Sequence, residues 1–264
     1  LEILIIGAGE MGKLFSRYLS EEHQVAIYDL DRRKVEEIAD EKIKPLSDLS
    51  DLREFESALL CVPISKVPGL VEELSGKMRK GSVVMEISSV KSPVIGSMRK
   101  LPSIGIKGIS FHPLFGPGIG DIRNGRAAVI EVTSIEDEIS YLSSLFPFEL
   151  IPMSLEDHDR AMAWLGLIHL ITNSFLSSSD DDSYLLRSAS TKTISWFLRV
   201  SAATLNQSEA LSQELITQNP YFEEALEKFL KELNSRDFKE IRRKIKKWLE
   251  IIDIKGSYEF LYRF

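Results

Sequence analysis

The chain has 264 residues, of which 44% are hydrophobic and 28% charged, and its formal net charge is −7. It is long enough for one large domain or two ordinary ones and too apolar to be disordered, and its acidic balance argues against nucleic acid as the main partner. The single cysteine, Cys61, excludes an intramolecular disulfide framework and fits a reducing compartment.

Leu1–Ile6 runs straight into a glycine turn without the basic start of a signal peptide. No apolar run approaches the roughly 18 residues of a membrane span, so a cytoplasmic protein with no membrane partner is expected. Near-continuous runs rich in Ile and Val predict strands at Glu2–Ile6, Gln24–Tyr28, Ser57–Val62, Ser82–Ile87, Gly108–Phe111 and Ala127–Val132. Helical patterns lie between them near Met11–Leu19, Arg32–Ala39, Val67–Met78 and Pro93–Arg99. This alternation predicts an α/β fold with a parallel sheet. After about residue 150 only helices are expected: Ser154–Ser177, Thr191–Leu205, Glu209–Thr217, Tyr221–Leu233 and Asp237–Ile252. The boundary is placed at Ile151–Ser154, with Pro152 as punctuation, giving an α/β domain over 1–151 and an all-helical domain over 152–264. Ser177–Ser183 (SSSDDDS) reads as a solvated loop.

The first strand and helix enclose ILIIGAGEMG, a G-x-G-x-x-G with Gly7, Gly9 and Gly12. Such a turn admits a tight bend, lets backbone approach a pyrophosphate and lets the helix pack close to the strand. The amides at the helix start, at Glu10 and Met11, then face the phosphates. A bare glycine pattern is weak evidence, but here a strand precedes it, a helix follows, and an acid, Asp29, ends the second strand. The expectation is a Rossmann-type dinucleotide-binding domain. Asp29 would accept from the ribose hydroxyls and repel a 2′-phosphate, so NAD is expected over NADP. Arg32 and Arg33 support the opposite choice if they hold that phosphate, and otherwise form a solvated first helical turn. Val62 and Pro63, after Cys61, would carry backbone along the cofactor; the bland alternative is a plain strand end.

Two segments carry chemistry-bearing residues at strand ends: Glu86–Lys91 (EISSVK) and Phe111–Pro117 (FHPLFGP). Ligands of open parallel sheets bind beyond the carboxyl ends of strands. His112 is one of four histidines and sits where strand turns to loop beside Pro113, as a general base near neutral pH would. A lone histidine is more often structural; position and neighbours favour the catalytic reading.

SSVK and HPLFGP downstream of GAGEMG resemble the prephenate/arogenate dehydrogenase family. EDHDRAMAWLGLIH (Glu156–His169) and NQSEALSQELITQNP (Asn206–Pro220) extend the resemblance into the helical half. The resemblance implies NAD-dependent oxidative decarboxylation of prephenate, or of arogenate, in tyrosine biosynthesis, with no metal needed; the long apolar stripes of the helical half predict a homodimer formed by residues after 151. The same resemblance implies that His112 takes the hydroxyl proton, that Ser89 hydrogen-bonds to that hydroxyl and to His112, and that Lys91 lies near the nicotinamide; the alternative for Lys91 is a surface lysine. His158 and His169 fall nearly on one helical face and are candidate substrate ligands. The family's carboxylate-binding arginine corresponds to Ala203 here; Arg199, one turn earlier, is the candidate replacement.

The last helix carries Phe238, Ile241, Ile245, Trp248, Leu249 and Ile252 on one side and six basic residues on the other, a pattern of core or dimer face more than of nucleic-acid or membrane binding. Two other functions stay open: a related β-hydroxyacid-type dehydrogenase or reductase, disfavoured because Ser154–Asn173 holds no lysine, and a non-catalytic nucleotide-sensing dimer, disfavoured by Ser89 and His112.

Overall fold

Strands β1 (Glu2–Ile6), β2 (Gln24–Tyr28), β3 (Ile43–Pro45), β4 (Ser57–Leu60), β5 (Val83–Glu86), β6 (Lys107–Pro113), β7 (Arg126–Ile130) and β8 (Glu149–Met153) form one sheet in the computed structural model, in the order β3-β2-β1-β4-β5-β6-β7-β8. All pairings are parallel except β6 with β7. Ile3, Leu4 and Ile5 are fully buried, as consecutive residues of a strand covered on both faces must be. The covering helices are α1 (Glu10–Leu19), α2 (Arg32–Glu36), α3 (Val67–Ser75), α4 (Ile95–Met98) and α5 (Ile135–Leu145). Phe15, Phe111, Phe146 and Phe148 meet at ring separations of 5.0–6.4 Å in the sheet's main core. The fold is the expected α/β sheet followed by a helical region.

Residues 1–262 are described, apart from the Leu249 side chain; that part of the last-helix reading lies outside the described residues. Two compact units divide after Met162, within α6 (Leu155–Ser178) and beyond the Ile151–Ser154 boundary expected from the sequence. The second unit holds the rest of α6, then α7 (Ser183–Ser188), α8 (Lys192–Leu205), α9 (Glu209–Thr217), α10 (Phe222–Ser235), α11 (Phe238–Lys244), α12 (Lys246–Ile251) and α13 (Ile254–Phe260). Among the described residues no helix is long and apolar enough to cross a membrane.

Several expectations need correction. β8 is a strand where a domain boundary was expected; it pairs only with β7, and an edge tolerates Pro152, which a central strand would not. β3, also at an edge, ends in Pro45 and was missed for the same reason. Helix α5 was not anticipated, although Ser134 caps it and acids fill its first turn. The expected single helix Asp237–Ile252 is broken at Ile245 into α11 and α12. Arg242 and Lys246, and Arg243 and Lys247, would be like charges four residues apart in a continuous helix, which disfavours it. The expected loop at Ser177–Ser183 instead contains the end of α6 and a short 3-10 turn at Asp180–Asp182.

Candidate active site

The sheet register aligns the functional segments. Tyr28, Ile6, Leu60, Glu86 and Ser110 form one row across β2, β1, β4, β5 and β6. One or two residues beyond that row, on the edge where these parallel strands end, come Asp29, Gly7, Cys61, Ile87 and His112. Strands lie about 4.8 Å apart, so His112 stands roughly 14 Å along this edge from the glycine turn, with Asp29 on the turn's other side. An extended dinucleotide matches that arrangement.

The turn is built for close approach. Gly7 has φ +106°, and a Cβ there would lie 2.2 Å from the Cys61 carbonyl oxygen. A Cβ on Gly12 would lie 1.8 Å from the Gly7 oxygen, so helix and turn could not close with alanine. A Cβ on Gly9 would meet nothing within 4 Å, which leaves open space where a ligand would sit. Glu10 is exposed and Met11 half-buried at the start of α1. Asp29 is half-buried; its carboxylate accepts from the amides of Ala8 (2.7 Å) and Asp31 (2.8 Å), which fixes it beside the turn. Arg33 is engaged by Asp31 at 3.1 Å, whereas Arg32 is exposed and makes no hydrogen bond or ion pair. Val62 is half-buried and Pro63 exposed past the end of β4. Burial pushes the Cys61 thiol up, so it is inert at neutral pH.

Side chains alternate faces along β6. Ile109 and Phe111 enter the main core, which sends Ser110 and His112 to the opposite face. There Glu86 and Lys91, both fully buried, form an ion pair at 2.7 Å. The Glu86 carboxylate also accepts from the Ser88 amide (2.7 Å) and the Ser110 hydroxyl. Lys91 Nζ donates in addition to the carbonyl of Phe111, immediately before His112, at 2.7 Å. This corrects the surface-lysine alternative, and it also leaves no part of the Lys91 side chain open to a cofactor.

His112 Nδ1 is 3.1 Å from Nε2 of His158, whose Nδ1 is 2.8 Å from Asp159. Both ring nitrogens of His158 are thus engaged and its side chain is fully buried, so it supports His112 and does not itself reach a substrate. His112 is only 8% exposed; its Nε2 has no protein partner, yet it is not a sealed-off atom, because among the described residues only Ser88 Oγ is buried without one. Burial, with His158 and the Lys91 charge, holds the His112 pKa well below the ordinary histidine value. The imidazole is therefore a neutral acceptor at physiological pH. Ser89 is half-buried and makes no hydrogen bond, so the expected Ser89–His112 contact is not formed.

His169 and Arg199 belong to the second unit. His169 is 1% exposed and bonds through Nδ1 to Ser212 at 2.9 Å. Arg199 is exposed, with its guanidinium 5.8 Å from the Trp196 ring centroid. Among the described residues no cluster of His, Cys, Asp and Glu could hold a metal. Sequence reasoning quoted Glu86 and Asp159 without assigning them work. A signal existed for Glu86: a carboxylate ending the apolar run VVM must find a partner if the strand is buried.

Residues 15–132 match the family described as prephenate dehydrogenase, nucleotide-binding domain. A probable arogenate/prephenate dehydrogenase of Methanocaldococcus jannaschii is 24% identical over 64% of this chain and 40% of its own length. A 4-amino-4-deoxyprephenate dehydrogenase of Streptomyces pristinaespiralis is 30% identical over 48% of this chain and 45% of its own. The chain thus spans less than half the length of these curated relatives. The crystal structure of prephenate dehydrogenase from A. aeolicus in complex with hydroxyphenyl propionate and NAD+ superposes with a TM-score of 0.72, covering 98% of this chain and 97% of that one at 16% identity, a likeness of fold.

Proposed function

We propose that this chain, whose residues 15–132 match the prephenate dehydrogenase nucleotide-binding domain, acts as a member of the prephenate/arogenate dehydrogenase family and catalyses the NAD-dependent oxidative decarboxylation of prephenate to 4-hydroxyphenylpyruvate, a step of tyrosine synthesis. The observation that carries this reading is His112: a neutral imidazole at the carboxyl end of β6 whose Nε2 is unpartnered, on the same sheet edge as a dinucleotide turn.

The Gly7–Gly12 turn and Asp29 suit a dinucleotide: open space at Gly9, helix amides for the phosphates and a fixed carboxylate for the ribose. When bound, NAD supplies a hydride acceptor. His112 Nε2 accepts the C4 hydroxyl proton as the C4–H bond gives up its hydride and C4–O becomes carbonyl-like. The bond from C1 to its carboxylate then breaks, releasing carbon dioxide; its electrons make the ring aromatic, and the oxygen at C4 takes the proton back from His112. Ser89, half-buried and unbonded on the neighbouring loop, is free to bond to the same hydroxyl. Lys91 acts indirectly, holding the carbonyl before His112. His169 and Arg199 remain candidates for the substrate's carboxylates, Arg199 in place of the residue absent at Ala203.

A homodimer formed by the helical unit is part of the reading. Among its described residues only Ala163, Leu167, Leu215, Phe222 and Ala225 are apolar and fully buried, while Trp164, Ile168, Leu205, Leu233, Trp248 and Ile251 are 46–74% exposed. Apolar faces of this extent suit a second copy.

The test is purified protein with NAD or NADP and, separately, prephenate, arogenate or 4-amino-4-deoxyprephenate, followed at the reduced-nicotinamide absorbance. The highest kcat/KM is expected for prephenate with NAD. No reduction with any pair would overturn the reading, and preference for another ring substrate would reassign it.

A further inference from the structure

We infer that Asp159 is a positioning residue that fixes, through His158, which nitrogen of His112 is the free acceptor. The inference rests on the reading of His112 Nε2 as the base. Asp159 receives the amides of Lys91 (2.9 Å) and Ser92 (2.8 Å) and the Ser92 hydroxyl (2.6 Å). Backbone amides only donate, so this carboxylate is an acceptor throughout and its orientation is set by the chain segment that follows Ser89. Its Oδ1 lies 2.8 Å from His158 Nδ1, and a carboxylate oxygen bonds there only to an N–H. Neutral His158 then has its lone pair on Nε2, facing His112 Nδ1 at 3.1 Å. That contact is a hydrogen bond only if His112 carries its proton on Nδ1. The lone pair of neutral His112 must in consequence lie on Nε2, the nitrogen with no protein partner. Protons point one way along the whole relay, away from the substrate side. Burial disfavours a charged His158, which would reverse the last link. A misdirected tautomer leaves geometry intact and turns the base into a donor.

The same carboxylate grips the backbone of Lys91 and Ser92, so one side chain links the SSVK loop, α6 and the end of β6. An asparagine cannot replace it. Its amide group must face either the Ser92 amide, donor against donor, or the Lys91 amide and His158 Nδ1. The second orientation drives His158, and then His112, into the opposite tautomer.

The experiment is long-range 1H–15N correlation of the imidazole rings in the full-length, 15N-labelled protein. There are only four histidines, and each is assigned by its loss in a single His→Gln variant. In the wild type His112 and His158 are both expected as Nδ1–H tautomers. Asp159→Asn is expected to shift His112 toward Nε2–H and to lower kcat by at least about 100-fold, with the affinity for NAD within about twofold. Nε2–H on His112 in the wild type overturns the inference, as does an Asp159→Asn protein with unchanged tautomer and kcat. If Asp159→Asn does not fold, the wild-type spectrum alone decides. The two readings fail separately: an active enzyme with the wrong tautomer sinks the relay, whereas the expected tautomers in a protein that oxidises no ring substrate sink the proposed function.

Discussion

Replacing Lys91 with methionine tests the buried network most severely. The change keeps the length of the side chain and removes its charge. Glu86, fully buried, would keep the Ser88 amide and the Ser110 hydroxyl but lose its counter-ion, and the Phe111 carbonyl would lose its ammonium donor. Removing one partner of a buried pair costs about 3–5 kcal/mol, because the other charge stays behind uncompensated. At about 2–4 °C per kcal/mol for a unit of this size, the melting temperature should fall by roughly 6–20 °C. All three tryptophans, Trp164, Trp196 and Trp248, lie in the second unit, so tryptophan fluorescence reports on the wrong half. Calorimetry is the assay, with the first unit identified as the transition that leaves tryptophan emission unchanged. Lys91→Met combined with Glu86→Gln should recover much of the loss, since it removes the stranded charge and keeps an acceptor. The surviving Lys91→Met enzyme should also show a higher His112 pKa, because the Lys91 charge helps to hold it down. A single variant within about 1 kcal/mol of wild type, or a double variant worse than the single, would refute the argument.

His112→Asn should keep the fold and NAD affinity and lower kcat at least about 100-fold, the lower end of general-base contributions; a near-normal kcat with a lowered melting temperature would mark the residue as structural. Acid should hurt activity only below the ordinary histidine range, since the His112 pKa is depressed: kcat/KM against pH should be flat from about 6.5 upward, and an acid limb above pH 7 would contradict this. Stability follows the same sign. His112, His158 and His169 are all depressed in the folded state, so their contribution is present above the unfolded pKa of about 6.5 and lost as pH falls through the folded values; the melting temperature should drop between pH 7 and 5, and a rise would exclude the arrangement. NAD should give a higher kcat/KM than NADP, with Asp29→Ala narrowing the gap; a wild-type preference for NADP would move the assignment to the unpaired Arg32. Light scattering should report twice the 29.9 kDa chain mass, and a monomer at micromolar concentration would remove the dimer.

What was legible in the sequence was what depends on neighbours in the chain. β1, β2 and α9 begin and end at the expected residues because apolar runs, the glycine turn and the Ser208 cap act over a few positions. The two missed strands lie at the sheet edges and contain prolines, so their local signal resembles punctuation; only the pairings Val25–Ile43 and Val129–Pro152, which are long-range, make them strands. In the site, position placed His112 at the carboxyl end of β6, where the structure has it. Its support was not legible. Lys91 reads locally as a residue starting a helix, and only the sheet register, which sets Glu86 beside Ser110, shows that it must be buried against a carboxylate. His158 and Asp159 are 46 and 68 residues from the groups they hold, and no periodicity within α6 encodes such a pairing.

The placement of this polar network is itself informative. An apolar core of the same volume would be as stable as a buried ion pair, or more so, and the opposite face of the same strand is filled by phenylalanines. Stability therefore does not explain why Glu86, Lys91, Ser110, Asp159 and His158 crowd the carboxyl ends of β5 and β6. Geometry does. Lys91 fixes the carbonyl before His112, Asp159 fixes the amides after Ser89, and His158 fixes the His112 ring. Each contact restrains one of the two segments that a hydroxyl between Ser89 and His112 would have to meet. A base must be held near its reacting proton with its lone pair aimed, and a strand end followed by a loop cannot do this alone. If His112 is the base, as proposed, the cost of burying these charges is the physical reason to assign them to holding that residue and not to the stability of the sheet.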